Sequence, residues 1–427
     1  MSDFIGLRRR RKSLPGLATV AGALVATLLN AAAAHAQTAP PFAQLYRDTQ
    51  TAPRQVELDA EVERAEGLAL QAKARPNPTV SIMTENAAGQ RPYRGFARSE
   101  NTLQVSQPIE IGGKRSARIA TGRADADAVI ARMRDARLVY AYDLALAYGA
   151  AEIAERRIAL AEDEVEEAGG DMRAALALVD AGKEPRLRGL QAQTEVNALR
   201  ALVDTAKAER IGAFARLAAL AGQASGFSSL AEPLLPRLEA KGGYGPVDPL
   251  QTAPYAAART EREAAEMRVT AARRQAVPDV NVSLGVRRLE VDSANAFVAG
   301  LSMPIPLFDR NRGNVNAAQA ELRGAQARDA ATLLNVQAEI VGSLALNEAA
   351  DARVAAADRT LQTAQETYRL ARIAYEAGKS PLLELLSARH GLGVARGGVL
   401  DAAAARLEAR ARLARLKGTT ITGDPVQ

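Results

Sequence analysis

The sequence predicts an exported membrane protein of mixed α/β class, in which four short strands and several very long helices occur in two similar halves. Three observations support this prediction. The chain begins with an export signal, and its short apolar segments alternate with polar residues at a period of two. Its helical segments are far longer than the average helix of a globular protein, about 11–12 residues.

Residues 1–36 have the pattern of a secretory signal peptide. Five consecutive basic residues are followed by an apolar stretch from Leu14 to about Ala34. An Ala-x-Ala box then predicts cleavage before Gln37. A retained membrane anchor is the alternative, because an apolar stretch of roughly 20 residues is long enough to span a bilayer.

Composition argues against nucleic-acid binding and against catalysis. Residues 1–36 hold five Lys/Arg and one Asp, so the rest of the chain carries 50 basic and 48 acidic residues and has no large excess of either charge. The chain has no Cys, and His390 is the one histidine outside the signal peptide. No catalytic, cofactor-binding or metal-binding constellation is therefore predicted, and the protein is not expected to be an enzyme.

An internal duplication organises the mature chain. The first half spans residues 37–245, the second spans 246–417, and residues 418–427 form a tail. Each half reads as a helix, two strands and two long helices. Two pairs of landmarks lie 196 positions apart: Pro108 with Pro304, and Gly182 with Gly378.

The expected elements follow from hydrophobic periodicity and from Gly and Pro positions. The shorter helices are expected near Val56–Ala74 and Tyr255–Arg274. The strands are expected at about 79–86, 101–111, 280–290 and 296–307. The long helices are expected at about 114–168, 185–221, 313–377 and 381–417.

The strands carry one apolar and one polar face and are long enough to cross a bilayer. A pair of soluble hairpins packed on a helical core is the alternative. In lipid, four strands would leave two edges of unpaired N–H and C=O groups, which are costly there. The smallest membrane barrels have about eight strands, so closure requires oligomerisation. Three chains give twelve strands and two chains give eight.

The long helices favour an elongated tube over a compact core. At 1.5 Å per residue the longest would reach on the order of 90 Å. Their sequences are rich in Ala, with charges of both signs interspersed, so close helix contacts and solvated faces are both available.

Two similar turns join the long helices. The first contains Ala181-Gly182-Lys183 before Pro185, and the second contains Ala377-Gly378-Lys379 before Pro381. Each glycine suits the left-handed position that ends a helix, and each proline suits the first position of the next helix. Ser380 is expected to cap that helix. A tight helical hairpin explains all of these residues; a docking role is the functional alternative.

A family resemblance is carried by Arg75–Pro78, Ser106–Arg115, Pro304–Gly313 and the two Ala-Gly-Lys turns. In these segments the chain resembles the TolC-type outer-membrane efflux family, in the branch that serves heavy-metal exporters. The resemblance implies a homotrimer with a 12-stranded outer-membrane β-barrel, continued by a long periplasmic α-helical barrel.

The resemblance also implies partners and sites. The helix tips would contact a periplasmic adaptor (membrane fusion) protein, which couples the duct to a proton-driven inner-membrane pump of the resistance–nodulation–division (RND) type. Acidic residues past the second turn narrow the closed end in this family. Glu384 matches that position, whereas Ser387 stands where a second acidic residue is found. Three Glu384 side chains would attract cations; an exposed glutamate in a first helical turn is the alternative.

A passive duct for heavy-metal cations is the leading functional hypothesis. The alternatives are an outer-membrane duct for drugs or for type I protein secretion, and a periplasmic coiled-coil adaptor.

Overall fold

The computed structural model describes residues 37–238 and 245–426. The predicted signal peptide, residues 1–36, lies outside the described residues. Within those ranges the chain forms a four-stranded sheet and a bundle of long helices. The helices connect to the strands at one end of the sheet.

The elements occur in the order expected from the repeated pattern, with additional short ones. The helices are α1 (Phe42–Asp48), α2 (Pro53–Gln71), α3 (Lys114–Asp180), α4 (Arg186–Leu220), α5 (Ala253–Gln275), α6 (Arg312–Glu376) and α7 (Leu382–Lys417). The strands are β1 (Gln37–Ala39), β2 (Thr79–Glu85), β3 (Glu100–Ile109), β4 (Phe227–Leu230), β5 (Val280–Leu289) and β6 (Ala294–Ser302).

The main sheet is antiparallel, with strand order β2-β3-β5-β6. Its register places Val105 opposite both Val80 and Leu284, so the apolar side chains of neighbouring strands share one face. This face is open: Val80, Leu284 and Phe297 are 65%, 64% and 93% exposed. Strands β2 and β6 form the two edges, and each has an unpaired side. A broad exposed apolar face is the expected surface of a sheet that contacts lipid.

Two predicted boundaries were wrong. The fourth strand ends at Ser302 and not near 307, because Pro304 and Pro306 cannot donate to a strand ladder. The first long helix continues through Gly169 and Gly170 to Asp180, although the sequence suggested an end at Ala168. Each glycine costs about 1 kcal/mol in a helix interior. The cost is offset by packing, since residues on both sides of the pair are buried against other helices.

Helix α3 forms the centre of the helical bundle. It packs against α2 and α4 on one side and against α5 and α7 on the other, while α6 packs against α5 and α7. The helices therefore form a strip, with α2 and α4 along one border and α6 along the opposite border.

A tyrosine-containing core joins the middle of α3 to the N-terminal segment. Strand β1 pairs in parallel with β4, and the sequence had predicted neither strand. Tyr148 donates a hydrogen bond to the carbonyl of Glu232 at 2.7 Å, and its ring meets Phe42 edge-to-face. The carboxylate of Glu152, which is 3% exposed, accepts hydrogen bonds from the backbone N–H groups of Leu234 and Leu235. These contacts fasten the link between the two halves to α3.

A buried polar cluster ties the four long helices together about ten residues from their turns, or roughly 15 Å at 1.5 Å per residue. The hydroxyl of Tyr368 on α6 contacts both oxygens of Asp171 on α3 at 3.2 Å. Arg389 on α7 forms ion pairs with Asp171 at 3.5 Å and with Glu195 on α4 at 2.8 Å. Asp171 and Arg389 are 2% and 5% exposed.

Burial governs the protonation of this cluster. Desolvation raises the pKa of Asp171 from 3.8 to about 6, against the opposing effects of the Tyr368 hydrogen bond and the positive charge of Arg389. The pKa of Tyr368 is also raised, first by burial and then by the negative charge of Asp171.

This shift predicts that the tips loosen as pH rises. Because the folded state raises the pKa of Asp171, protonation favours the folded cluster; its stability is greatest below about pH 4 and falls through about pH 6. Amide hydrogen exchange near the turns, corrected for intrinsic rates, should therefore show less protection at pH 7.5 than at pH 5. Asp171→Asn should abolish the difference, and Asp180→Asn, at the exposed end of α3, should retain it. An unchanged pH dependence in Asp171→Asn would assign the effect to another group.

Candidate functional site

The two helix tips share one backbone geometry. Gly182 and Gly378 have φ of +69° and +68°, the left-handed conformation that glycine adopts without strain. After each glycine, the N–H of the next lysine donates to a carbonyl five residues earlier: Lys183 to Leu178 and Lys379 to Ala374, each at 2.9 Å or less. This is the Schellman pattern, which satisfies the last carbonyls of a helix.

The tips present exposed groups of mixed character. All six residues of the Ala-Gly-Lys turns are exposed: Ala181, Gly182, Lys183, Ala377, Gly378 and Lys379. Leu187 and Leu383, which occupy equivalent positions in the next helices, are also 59% and 69% exposed. Each tip therefore presents one exposed apolar side chain close to a flexible lysine.

Helix capping differs from the sequence prediction by one position. Pro185 and Pro381 have ψ of 147° and 153°, so they precede the helices as N-cap residues and do not form the first helical turn. Ser380 therefore lies before the cap, and its buried hydroxyl has no hydrogen-bond partner. The prediction that Ser380 caps α7 was wrong, because proline's fixed φ allows it to occupy that position itself.

Glu384 and Ser387 lie together beside a groove between α6 and α7. Glu384 is exposed in the first turn of α7, and Ser387 lies one turn further. They line a groove of about 750 Å³ whose opposite wall carries hydroxyl groups from α6. Those hydroxyls belong to Thr360, Thr363 and Thr367. In the part of the chain that the structure describes, Glu384 has no ion-pair partner, so its charge is available to a solute.

The polar face of the sheet concentrates its charge at the end remote from the helices. Arg287 contacts Glu100 at 2.9 Å, Glu85 at 3.2 Å and the hydroxyl of Thr102 at 3.0 Å. These bonds connect β2, β3 and β5 across one face, because successive residues of a strand point to opposite sides. The face that opposes the apolar one is thus hydrophilic and cross-linked by charge.

Among residues 37–238 and 245–426, no group of three or more His, Cys, Asp or Glu side chains is arranged to hold a metal ion. His390 is exposed on α7. Burial raises the pKa of the half-buried Glu164, and the positive charges of Arg396 and Arg389 oppose that rise. No described helix combines the length and the apolar character that a transmembrane helix needs.

Comparison with known proteins identifies the family. The model of the family described as Outer membrane efflux protein matches residues 49–223 and again residues 255–419. The nickel-cobalt-cadmium resistance protein NccC of Alcaligenes xylosoxydans xylosoxydans is 38% identical over 396 residues, which cover 92% of this chain and 90% of that protein. The cobalt-zinc-cadmium resistance protein CzcC of Cupriavidus metallidurans is 30% identical over 346 residues, or 79% of each chain.

Solved structures show the same fold. The structure of CusC superimposes with a TM-score of 0.78 at 19% identity, covering 88% of this chain and 92% of that one. The open state of the Neisseria gonorrhoeae MtrE outer membrane channel gives 0.70 at 19% identity, covering 92% of both chains. The solved structures confirm the predicted fold class, and the family match and the relatives confirm the predicted outer-membrane location. The chain belongs to the Outer membrane efflux protein family.

Proposed function

We propose that three copies of this chain close into a passive duct across the outer membrane, through which heavy-metal cations leave the cell. The observation that carries the proposal is a four-stranded sheet that is apolar on its exposed face, polar on the other, and unpaired at both edges. Such a sheet is stable in lipid only if other copies pair with its edges, and three copies supply the twelve strands of a closed barrel.

The helical strip supports the same closure. Its two borders carry large exposed aliphatic side chains, each 54% exposed or more: Leu190, Leu202 and Ile211 on α4, and Leu334 and Val341 on α6. Soluble helices seldom leave so many aliphatic side chains open unless another surface covers them. Pairing α4 of one copy with α6 of the next would bury both sets and form a continuous helical wall.

The cargo is proposed from the relatives and from the site. NccC and CzcC are resistance proteins for nickel, cobalt and cadmium and for cobalt, zinc and cadmium. In a closed trimer, three Glu384 carboxylates would surround the aperture at the tips, where negative charge raises the local concentration of cations. A duct needs weak interactions with its cargo, so a resident metal site is not required.

The partners are proposed from the tips. Their shared geometry, exposed lysines and exposed leucines would suit a periplasmic adaptor protein that contacts the two turns of each copy in equivalent ways. The adaptor would connect the duct to a proton-driven inner-membrane pump of the RND type. The protein itself would carry out no reaction and would need no cofactor.

Deletion of the gene tests the function directly. The strain should lose tolerance to nickel, cobalt, zinc or cadmium, because the cations would no longer leave the periplasm. Growth is measured across metal concentrations and, in parallel, across common antibiotics. Plasmid-borne wild type should restore the tolerance. Full metal tolerance in a strain without a redundant duct, together with antibiotic sensitivity, would reassign the cargo to drugs.

Planar-bilayer recording tests the role of Glu384. In a KCl gradient, the wild-type duct should prefer K⁺, and Glu384→Ala should shift the reversal potential toward Cl⁻, because three negative charges leave the aperture. Glu57→Ala, which removes an exposed carboxylate far from the tips, is the matched control and should behave as wild type. Identical reversal potentials for Glu384→Ala and wild type would eliminate the proposed ring.

A further inference from the structure

We propose that the β2–β3 loop, residues 86–99, binds the phosphate groups of the phosphorylated glycolipid in the outer leaflet of the membrane. This loop is called the arginine loop below. The inference rests on the outer-membrane fold and does not depend on the cargo or on the number of copies in the duct.

The charge of the arginine loop is entirely positive. Arg91, Arg94 and Arg98 lie within residues 86–99, and the segment contains no Asp or Glu. All three arginines are exposed, and no carboxylate among the described residues pairs with them. Unpaired guanidinium groups at a surface are free to form bidentate hydrogen bonds with phosphate oxygens.

Aromatic side chains alternate with these arginines. Tyr93 and Phe96 are 44% and 69% exposed. The loop does not need them for its own packing, because backbone hydrogen bonds shape it: Ala88 N–H to Gly95 O at 3.1 Å and Gly89 N–H to Tyr93 O at 3.0 Å. Exposed aromatic rings next to cationic side chains favour the boundary between lipid and water, where one part of each group is solvated and the other is not.

The topology places this loop at the outer surface. Strand β3 runs from Glu100 to Ile109 and leads into α3, so the helices begin at one end of the sheet and the arginine loop lies at the other. Because the helices extend into the periplasm, the loop lies at the level of the outer-leaflet head groups. In a Gram-negative outer membrane those head groups are phosphorylated sugars, which carry a high density of negative charge.

The second half of the chain provides an internal comparison. Its corresponding loop, residues 290–293, is much shorter and contains Glu290 and Asp292 with no cation. Both hairpins form, so neither the length nor the charge of the arginine loop is needed to connect two strands. A separate interaction accounts for the difference, and a phosphate-rich surface fits the three arginines in charge and geometry.

Native mass spectrometry of the full-length protein tests this proposal. The protein purified in detergent is titrated with diphosphorylated lipid A and, separately, with lipid A from which both phosphates have been removed. Wild type should bind the diphosphorylated form at least tenfold more tightly. The triple variant Arg91→Gln, Arg94→Gln, Arg98→Gln should bind both forms equally, since basic residues near an anionic surface each contribute to binding. The double variant Tyr93→Ala, Phe96→Ala should weaken the binding of both lipid forms by the same factor.

A matched control distinguishes an effect of the loop arginines from an effect of the protein's net charge. Arg200→Gln, Arg216→Gln and Arg328→Gln remove the same three charges from exposed helix positions and should retain the wild-type phosphate preference. Single-channel conductance of each preparation reports that the duct is intact. The proposal is overturned if the loop variant keeps the phosphate preference or if the control loses it equally. It is also overturned if wild type binds both lipids alike; an anionic protein would then be the alternative ligand of the loop.

Discussion

The unpaired edges of the main sheet are the constraint on which the rest of the structure depends. Strands β2 and β6 each leave one side of their backbone without a ladder partner, and a bilayer offers no water to satisfy those groups. Each unsatisfied group costs several kcal/mol, so a single chain cannot remain open in lipid. Closure by neighbouring copies then dictates the arrangement below it, because the helices that leave the sheet must follow the same circle.

Much of this fold was accessible from sequence because its signals are local and repeated. Period-two alternation marks the strands at Val80–Ile82 and Val280–Val286, because successive side chains of a strand point to opposite faces. The glycines at 182 and 378 mark the turns, because few other residues adopt the left-handed backbone conformation required there. The errors have equally local causes. The first long helix was expected to end near 168, but it continues through Gly169 and Gly170, because the packing of distant helices outweighs a cost of about 1 kcal/mol per glycine.

Other features depend on contacts that a single sequence does not display. Strands β1 and β4 have three and four residues, which is too short to show a hydrophobic periodicity. They pair with each other although nearly the whole first half of the chain separates them in sequence. The Asp171 cluster was missed as well, although one signal was present. Arg389 falls on the same stripe of α7 as Leu382, Leu385 and Leu392, all of them buried, so its position already indicated a charged group that needs a buried partner.

Charge is distributed along the molecule in a way that fits a conduit. An isolated carboxylate lies at the proposed aperture, an Arg–Glu network lies on the polar face of the sheet, and the arginine loop lies at the outer end. Many of the exposed aliphatic side chains lie along α4 and α6 and on the apolar face of the sheet. Buried polar groups, such as Asp171, hold helices together. The groups that would line the solute path are solvated and would interact with a solute only weakly.

Disulfide cross-linking between the two edge strands tests closure most directly. The chain has no Cys, so one cysteine in β2 and one in β6 are the only thiols. Within a chain these strands are separated by β3 and β5, or about 14 Å at 4.8 Å per strand, beyond disulfide range. Oxidation in native outer membranes, scanned over registers, should yield covalent dimers and trimers and nothing larger. A series that stops at the dimer, or no cross-link in any register, would contradict a three-chain barrel.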